Sequence, residues 1–237
     1  MKSQLFAEGN LEVEGPQRFA LQNPHLLRVS LGPDVLAIKG AMVAYQGQVR
    51  FEHESSGSLG KLLKKALTSE DIPLMRVSGQ GEVFFASDAG YVYLVDLDGD
   101  GISVNGRNLL AFDATMSWDI HRTKGAGVMA GGLFNTTVQG TGPVALCTVG
   151  HPVVLDCSQQ PTYVDVQSTV AWSANLVPGV VNSMSMRSLV RGGSGEAFQY
   201  SFHGPGFVVV QPSEWAPIVQ GQGTGGSGGI IGGLFDG

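Results

Sequence analysis

Short apolar runs rich in β-branched and aromatic residues dominate the chain, which is the pattern of strands. The clearest are Val35-Leu36-Ala37-Ile38, Glu82-Val83-Phe84-Phe85, Tyr91-Val92-Tyr93-Leu94-Val95, Val144-Ala145-Leu146 and Phe207-Val208-Val209-Val210. Gly, Asn, Asp or Pro interrupts them about every 8–12 residues, the spacing of an all-β sandwich or barrel. One stretch, 58–67, has helical periodicity instead. Its Leu59, Leu62, Leu63, Ala66 and Leu67 share one face, with Lys61, Lys64 and Lys65 opposite, so a short helix packing its leucines on the sheet or on a neighbouring subunit is expected. Tyr45, Phe112, Trp118 and Trp172 lie inside strand-like runs and are expected in the core.

Two markers recur three times in the same order. Gly-x-Gly followed by an apolar run appears at Gly79-Gln80-Gly81, Gly140-Thr141-Gly142 and Gly204-Pro205-Gly206. Apolar residues, then Ala, then an aromatic appear at Met42-Val43-Ala44-Tyr45, Leu109-Leu110-Ala111-Phe112 and Thr169-Val170-Ala171-Trp172. The Ala marker precedes its Gly-x-Gly by 29–35 residues each time. Gly- or Lys-containing pieces lie between the two markers, around 61–67, 125–132 and 186–195. This order predicts a single domain over 1–215, built from three pseudo-repeats at about 26–81, 82–142 and 143–210 with short helical connections. No one unit could bury its apolar face alone. The glycines would mark bends or bulges where φ is positive or a side chain would clash.

The aliphatic-Ala-aromatic strand, the intervening piece and the Gly-x-Gly strand resemble the altered-inheritance-of-mitochondria (AIM) family, over roughly 26–215. Arg191-Gly192-Gly193-Ser194-Gly195-Glu196-Ala197-Phe198, leading to Gly204-Pro205-Gly206, is the most specific part. Gln80 and Thr141 depart from the family's frequent Pro between the glycines. The resemblance implies an all-β, sandwich-like, self-associating domain with a fold similar to the tryptophan RNA-binding attenuation protein. It implies no catalytic residues, and a shared fold does not confer RNA binding.

Composition narrows the picture. Gly fills 35 of 237 positions and charged residues only 14%, against about 25% charged in typical domains. Charge depletion of this kind suits extensive subunit packing. The net charge of −6 argues against a nucleic-acid partner, which needs clustered Lys and Arg. No apolar run reaches the ~18 residues of a membrane span, and the first residues lack the apolar stretch of a secretory signal. A cytoplasmic location is expected. The residues 216–237 differ from the rest: they are Gly-rich and expected to be flexible, with an apolar end at Leu234 and Phe235. Those two residues could dock on a protein partner, since extended segments add to sheet edges.

Candidate chemistry is sparse. Cys147 and Cys157 sit in apolar runs and read as small core hydrophobes. With His151 they make an incomplete zinc set, because a closed structural site needs four ligands. The five histidines are scattered singly. Asp96-Leu97-Asp98-Gly99-Asp100-Gly101 matches the opening of a calcium loop, but its position 12 is Arg107 where a bidentate Glu belongs. Asp and Gly are also turn residues, and a tight turn is expected there. No nucleophile elbow, phosphate loop or H-E-x-x-H is present. No cofactor is indicated. A surface-lying helix at Lys61, Lys64 and Lys65 is too short to make membrane association the better reading. The expected function is a non-catalytic, self-assembling β scaffold or interaction protein, a homo-oligomer with a trimer first. The alternative is a β barrel binding a small molecule or calcium.

Overall fold

A computed structural model describes residues 2–54, 74–122, 134–182 and 198–213. The expected helix with Lys61, Lys64 and Lys65, the pieces at 125–132 and 186–195, and the tail with Leu234 and Phe235 all lie outside these residues. Among the described residues the protein is all-β, apart from two single 3-10 turns at Gln4–Phe6 and Glu8–Asn10. No helix among them is long and apolar enough to cross a membrane.

The first strands are β1 (Phe19–Asn23), β2 (Leu26–Ser30), β3 (Val35–Ile38), β4 (Met42–His53) and β5 (Leu74–Phe85). Strand β5 pairs with β4 along its length. On its other edge it pairs with β3 through its first half and β2 through its second. Next come β6 (Tyr91–Asn105), β7 (Leu109–Asp113), β8 (Ser117–Arg122) and β9 (Phe134–Thr148). Strand β9 pairs with all of β6 on one edge, and with β8 and then β7 on the other. The last are β10 (Val153–Asp156), β11 (Thr162–Asp165), β12 (Thr169–Ser173), β13 (Gly179–Asn182), β14 (Phe198–Phe202) and β15 (Phe207–Val210). Here β14 pairs with β11 and β13, and β15 with β10 and β12. All ladders are antiparallel; one sheet has twelve strands, and β11, β14 and β13 make a second of three.

The registers coincide. Ala44 faces Phe84, Ala111 faces Ala145 and Ala171 faces Val209, each partner three residues past its second glycine. In all three ladders the register slips just before that alanine. Val35 faces Val77, Ile102 faces Val138 and Thr162 faces Phe202, each partner two residues before its first glycine. Backbone N–H groups of Ala86, Cys147 and Gln211 donate to the carbonyls of Ala41, Asn108 and Ser168 at 2.9, 2.7 and 2.9 Å.

The glycine pairs are not chain reversals. Gly79 and Gly81 lie within β5, Gly140 and Gly142 within β9, and Gly204 and Gly206 between β14 and β15. All six have positive φ, from +111° to +148°. Gly81 shows why: a Cβ there would lie 1.9 Å from the carbonyl oxygen of Gln46. The kink lets one strand change partners midway without losing its ladder on the other edge.

Apolar side chains form three buried clusters. One is centred on Val29, Val35, Phe85 and Ala111, one on Ile102, Phe112, Val138 and Val170, and one on Trp172, Tyr200, Phe202 and Val208. Phe112 and Trp172 are in the core and Trp118 packs against it, as expected. Tyr45 is not: it is 49% exposed, and its ring rests edge-on against Phe51. The reason is that β4, unlike the strands of Phe112 and Trp172, has a ladder on one edge only among the described residues.

Gly81→Ala combines a positive φ with a backbone clash and is expected to cost roughly 2–4 kcal/mol. Gly99 also has positive φ but open space around it, so Gly99→Ala should cost only about 1 kcal/mol. Urea unfolding of the two variants measures the difference; equal losses would contradict the clash.

Candidate interaction site

Two short ladders join the parts of the sheet, and they set the standard for a third place. In the first, Val35, Leu36 and Ala37 of β3 face Asp113, Phe112 and Ala111 of β7. In the second, Ile102, Ser103 and Val104 of β6 face Ser173, Trp172 and Ala171 of β12. One flanking bond repeats as well: the Ala114 N–H donates to Asp34 O and the Ala174 N–H to Gly101 O, both at 3.0 Å. With ladders on both edges and apolar cover, every residue of β7 and of β12 is buried.

The corresponding residues of β4 have the same apolar character and the opposite environment. Val43, Ala44 and Tyr45 are exposed, Val43 by 56%. The first residues of β4, from Met42 to Val49, carry no charge; Arg50 and Glu52 follow. Strand β11 is the other edge of interest. It pairs only with β14 among the described residues, and its Tyr163 is 58% exposed. Beside it lies a groove of about 410 Å³, lined by Leu155, Tyr163, Val164, Ser168, Val210 and Gln211 among others.

The first junction is latched by charge. Arg18 pairs with Asp113 and donates to the carbonyl of Pro33. Burial pushes the Asp113 carboxyl up, but two hydrogen bonds from Thr115 and the Arg18 cation outweigh it and hold it below its ordinary value. The second junction is neutral. The Asn108 side chain donates to Cys147 O at 2.8 Å and to Gln211 Oε1 at 3.0 Å, while Asn105 Nδ2 donates to Thr169 O at 3.2 Å.

The residues singled out for chemistry are dispersed. The stretch 96–101 is no tight turn; it lies inside β6, which continues along β9 past a bulge between Asp98 and Asp100. Gly99 supplies the bulge's positive φ, and the Asp98 N–H donates to Asp100 Oδ1 at 3.1 Å. Turn and bulge draw on the same residues, so composition alone does not separate them. Asp96 and Asp100 line a cavity of about 540 Å³ that Asp98 does not line. Among the described residues no group of three or more His, Cys, Asp or Glu could hold a metal ion. Cys147 and Cys157 are buried in different clusters, and burial pushes the Cys147 thiol up.

One grouping has no signal in the sequence. His25 and His151 flank the ring of Tyr91, with ring centroids 4.5 and 4.2 Å away, and the Tyr93 hydroxyl lies 2.9 Å from His151 Nδ1. These histidines are 126 positions apart in the chain, so only the pairing of strands brings them together.

Because the Asp113 carboxyl is depressed in the folded protein, its contribution is complete above the ordinary carboxylate range and is lost as pH falls through the lower folded value. Asp113→Asn is expected to lose about 1–3 kcal/mol at neutral pH and to show a shallower decline as pH falls below the ordinary carboxylate range. Urea midpoints over that fall measure it; an acid limb as steep as the wild type's would remove Asp113 from this role.

Comparison with known proteins agrees with this architecture. The crystal structure of protein SPYM3_0169 from Streptococcus pyogenes superposes with a TM-score of 0.66 at 20% sequence identity, covering 83% of this chain and 92% of that one. At that identity the likeness is one of fold. No curated protein matches the sequence. Residues 19–213, from the start of β1 to the last residue described after β15, match the family model described as mitochondrial biogenesis AIM24. On that extent of match, the chain belongs to the AIM24 family.

Proposed function

We propose that this protein is a non-catalytic, self-assembling β scaffold, built from three copies of one β unit at about 26–85, 91–148 and 153–210. The coincident registers and backbone bonds support the copies, and the unit ends fall after the strands that follow Gly-x-Gly because those strands pair back within their own unit. In this reading the sandwich-type barrel is completed only when further units join the open sheet.

The observation that carries the reading is the contrast among corresponding strands. Leu109–Asp113 and Thr169–Ser173 are wholly buried between two strands, while Val43, Ala44 and Tyr45 are exposed on a strand with no second neighbour among the described residues. Uncharged apolar edges of this kind are interaction surfaces or aggregation hazards, and stable proteins cover them. The non-catalytic part is supported by the separation, among the described residues, of the acidic and cysteine residues that the sequence singled out, and by the structural employment of Asp113 and Cys147.

The expected solution state is a homo-oligomer, with a trimer the first expectation. Mass photometry or sedimentation of the full chain at micromolar concentration tests this, and a clean monomer would overturn the reading.

A further inference from the structure

We infer that β11 of one copy and β4 of a second copy form a third junction, made to the same rule as the two inside each chain. The inference rests on the self-assembly reading above and names the surface and the occupant. Counting from the glycine pairs, Thr162, Tyr163 and Val164 hold the positions of Val35, Leu36 and Ala37 in the first junction and of Ile102, Ser103 and Val104 in the second. Gln46, Tyr45 and Ala44 likewise hold the positions of Asp113, Phe112 and Ala111, and of Ser173, Trp172 and Ala171. The third junction therefore sets Thr162 against Gln46, Tyr163 against Tyr45 and Val164 against Ala44 of the second copy, in an antiparallel ladder.

The side-chain fit follows the same register. Leu110 on β7 is fully buried in the cluster that holds Ala37, Ala41 and Phe85. Val170 on β12 is fully buried in the cluster that holds Val104 and Leu146. Val43 occupies their position on β4. The residues of the third unit that correspond to Ala37, Ala41 and Phe85 are Val164, Ser168 and Val210, and all three line the open groove beside β11. The second copy's Val43 fills that groove as Leu110 and Val170 fill theirs. Among the described residues each edge has no second ladder, so each can supply the donors and acceptors the other needs, and no charged side chain stands in Met42–Gln48 to keep a strand away. The contact is head-to-tail, so each copy keeps one free β4 and one free β11 until a ring closes.

Two measurements on the full chain decide it. Chains carrying Tyr45→Cys and Tyr163→Cys are prepared separately and mixed under mild oxidation; the native Cys147 and Cys157 are buried. The mixture is expected to give a disulfide-linked dimer, and each chain alone none. A dimer from Tyr45→Cys alone would mean β4 against β4, and an internal disulfide within a chain carrying both substitutions would mean closure on its own β4. Either result overturns the junction, as does a mixture that stays unlinked. In the second measurement, Val43→Lys is expected to reduce the assembly to single chains with an unchanged circular dichroism spectrum. Val177→Lys, at a residue 90% exposed and outside both strands, should leave the assembly intact. If Val43→Lys remains assembled, the junction falls while the scaffold reading stands; if the wild-type chain is itself monomeric, both fall.

Discussion

A β-strand has two edges, and every N–H and C=O on each must find a partner or water. An apolar strand has in addition two faces, which gain by leaving water. The five residues of β7 and the five of β12 meet both demands together. Each is held between two strands and covered on both faces, and neither needs a polar residue at its centre to face solvent. That is why their sequences, Leu-Leu-Ala-Phe-Asp and Thr-Val-Ala-Trp-Ser, read as unbroken runs rather than alternations. The whole sheet is organised to supply such strands with neighbours. Strand β4, of the same type, has no described strand on its second edge.

The kinked strands make the arrangement workable. Without a bend, β5 and β9 would run straight past one pair of partners and the sheet would grow flat. With Gly79 and Gly81, or Gly140 and Gly142, at positive φ, each long strand serves different neighbours in its two halves while keeping one continuous ladder on its other edge. The two halves still share a core: Val77 and Val83, on either side of the β5 glycines, lie in one cluster, and Val138 and Val144, on either side of those of β9, lie in another. Backbone crowding at Gly81 shows the constraint to be steric as well as conformational, since the space for a Cβ is taken by the facing strand.

Much of this was legible from local pattern. The apolar runs are strands, the Ala markers lie at matching register slips, and the paired glycines have the positive φ their recurrence suggested. What stayed hidden depends on neighbours that a linear pattern does not name. Tyr45, Phe112 and Trp172 sit in the same local context, so sequence placed all three in the core; only the presence of β3 beside β7, of β6 beside β12, and of no described strand beside β4 separates them. The Asp96 stretch failed for a different reason. An acidic Gly-containing segment suits a bulge and a turn equally, and the decision came from β9 running alongside. The groove beside β11 was invisible because its walls, from Leu155 to Gln211, come from four separate segments. The stack of His25, Tyr91 and His151 was missed on the same ground.

Charge placement is consistent with the occupation proposed for the edge of β4. Natural sheets blunt free edges with lysines, prolines or inward charges. Such guards are present on β4, but at Arg50 and Glu52, in the half beyond the kinked glycines, where β8 carries Asp119 and His121. The half that corresponds to the buried strands β7 and β12 has none. A strand whose outer half is protected and whose inner half is bare fits a surface that excludes pairing at one end and accepts it at the other. Head-to-tail contacts made this way build rings if the rotation between copies closes, and filaments if it does not. The two junctions inside the chain have matching registers. If the proposed junction between chains repeats them, the number of copies in a closed ring would follow from the turn per junction rather than from any new contact.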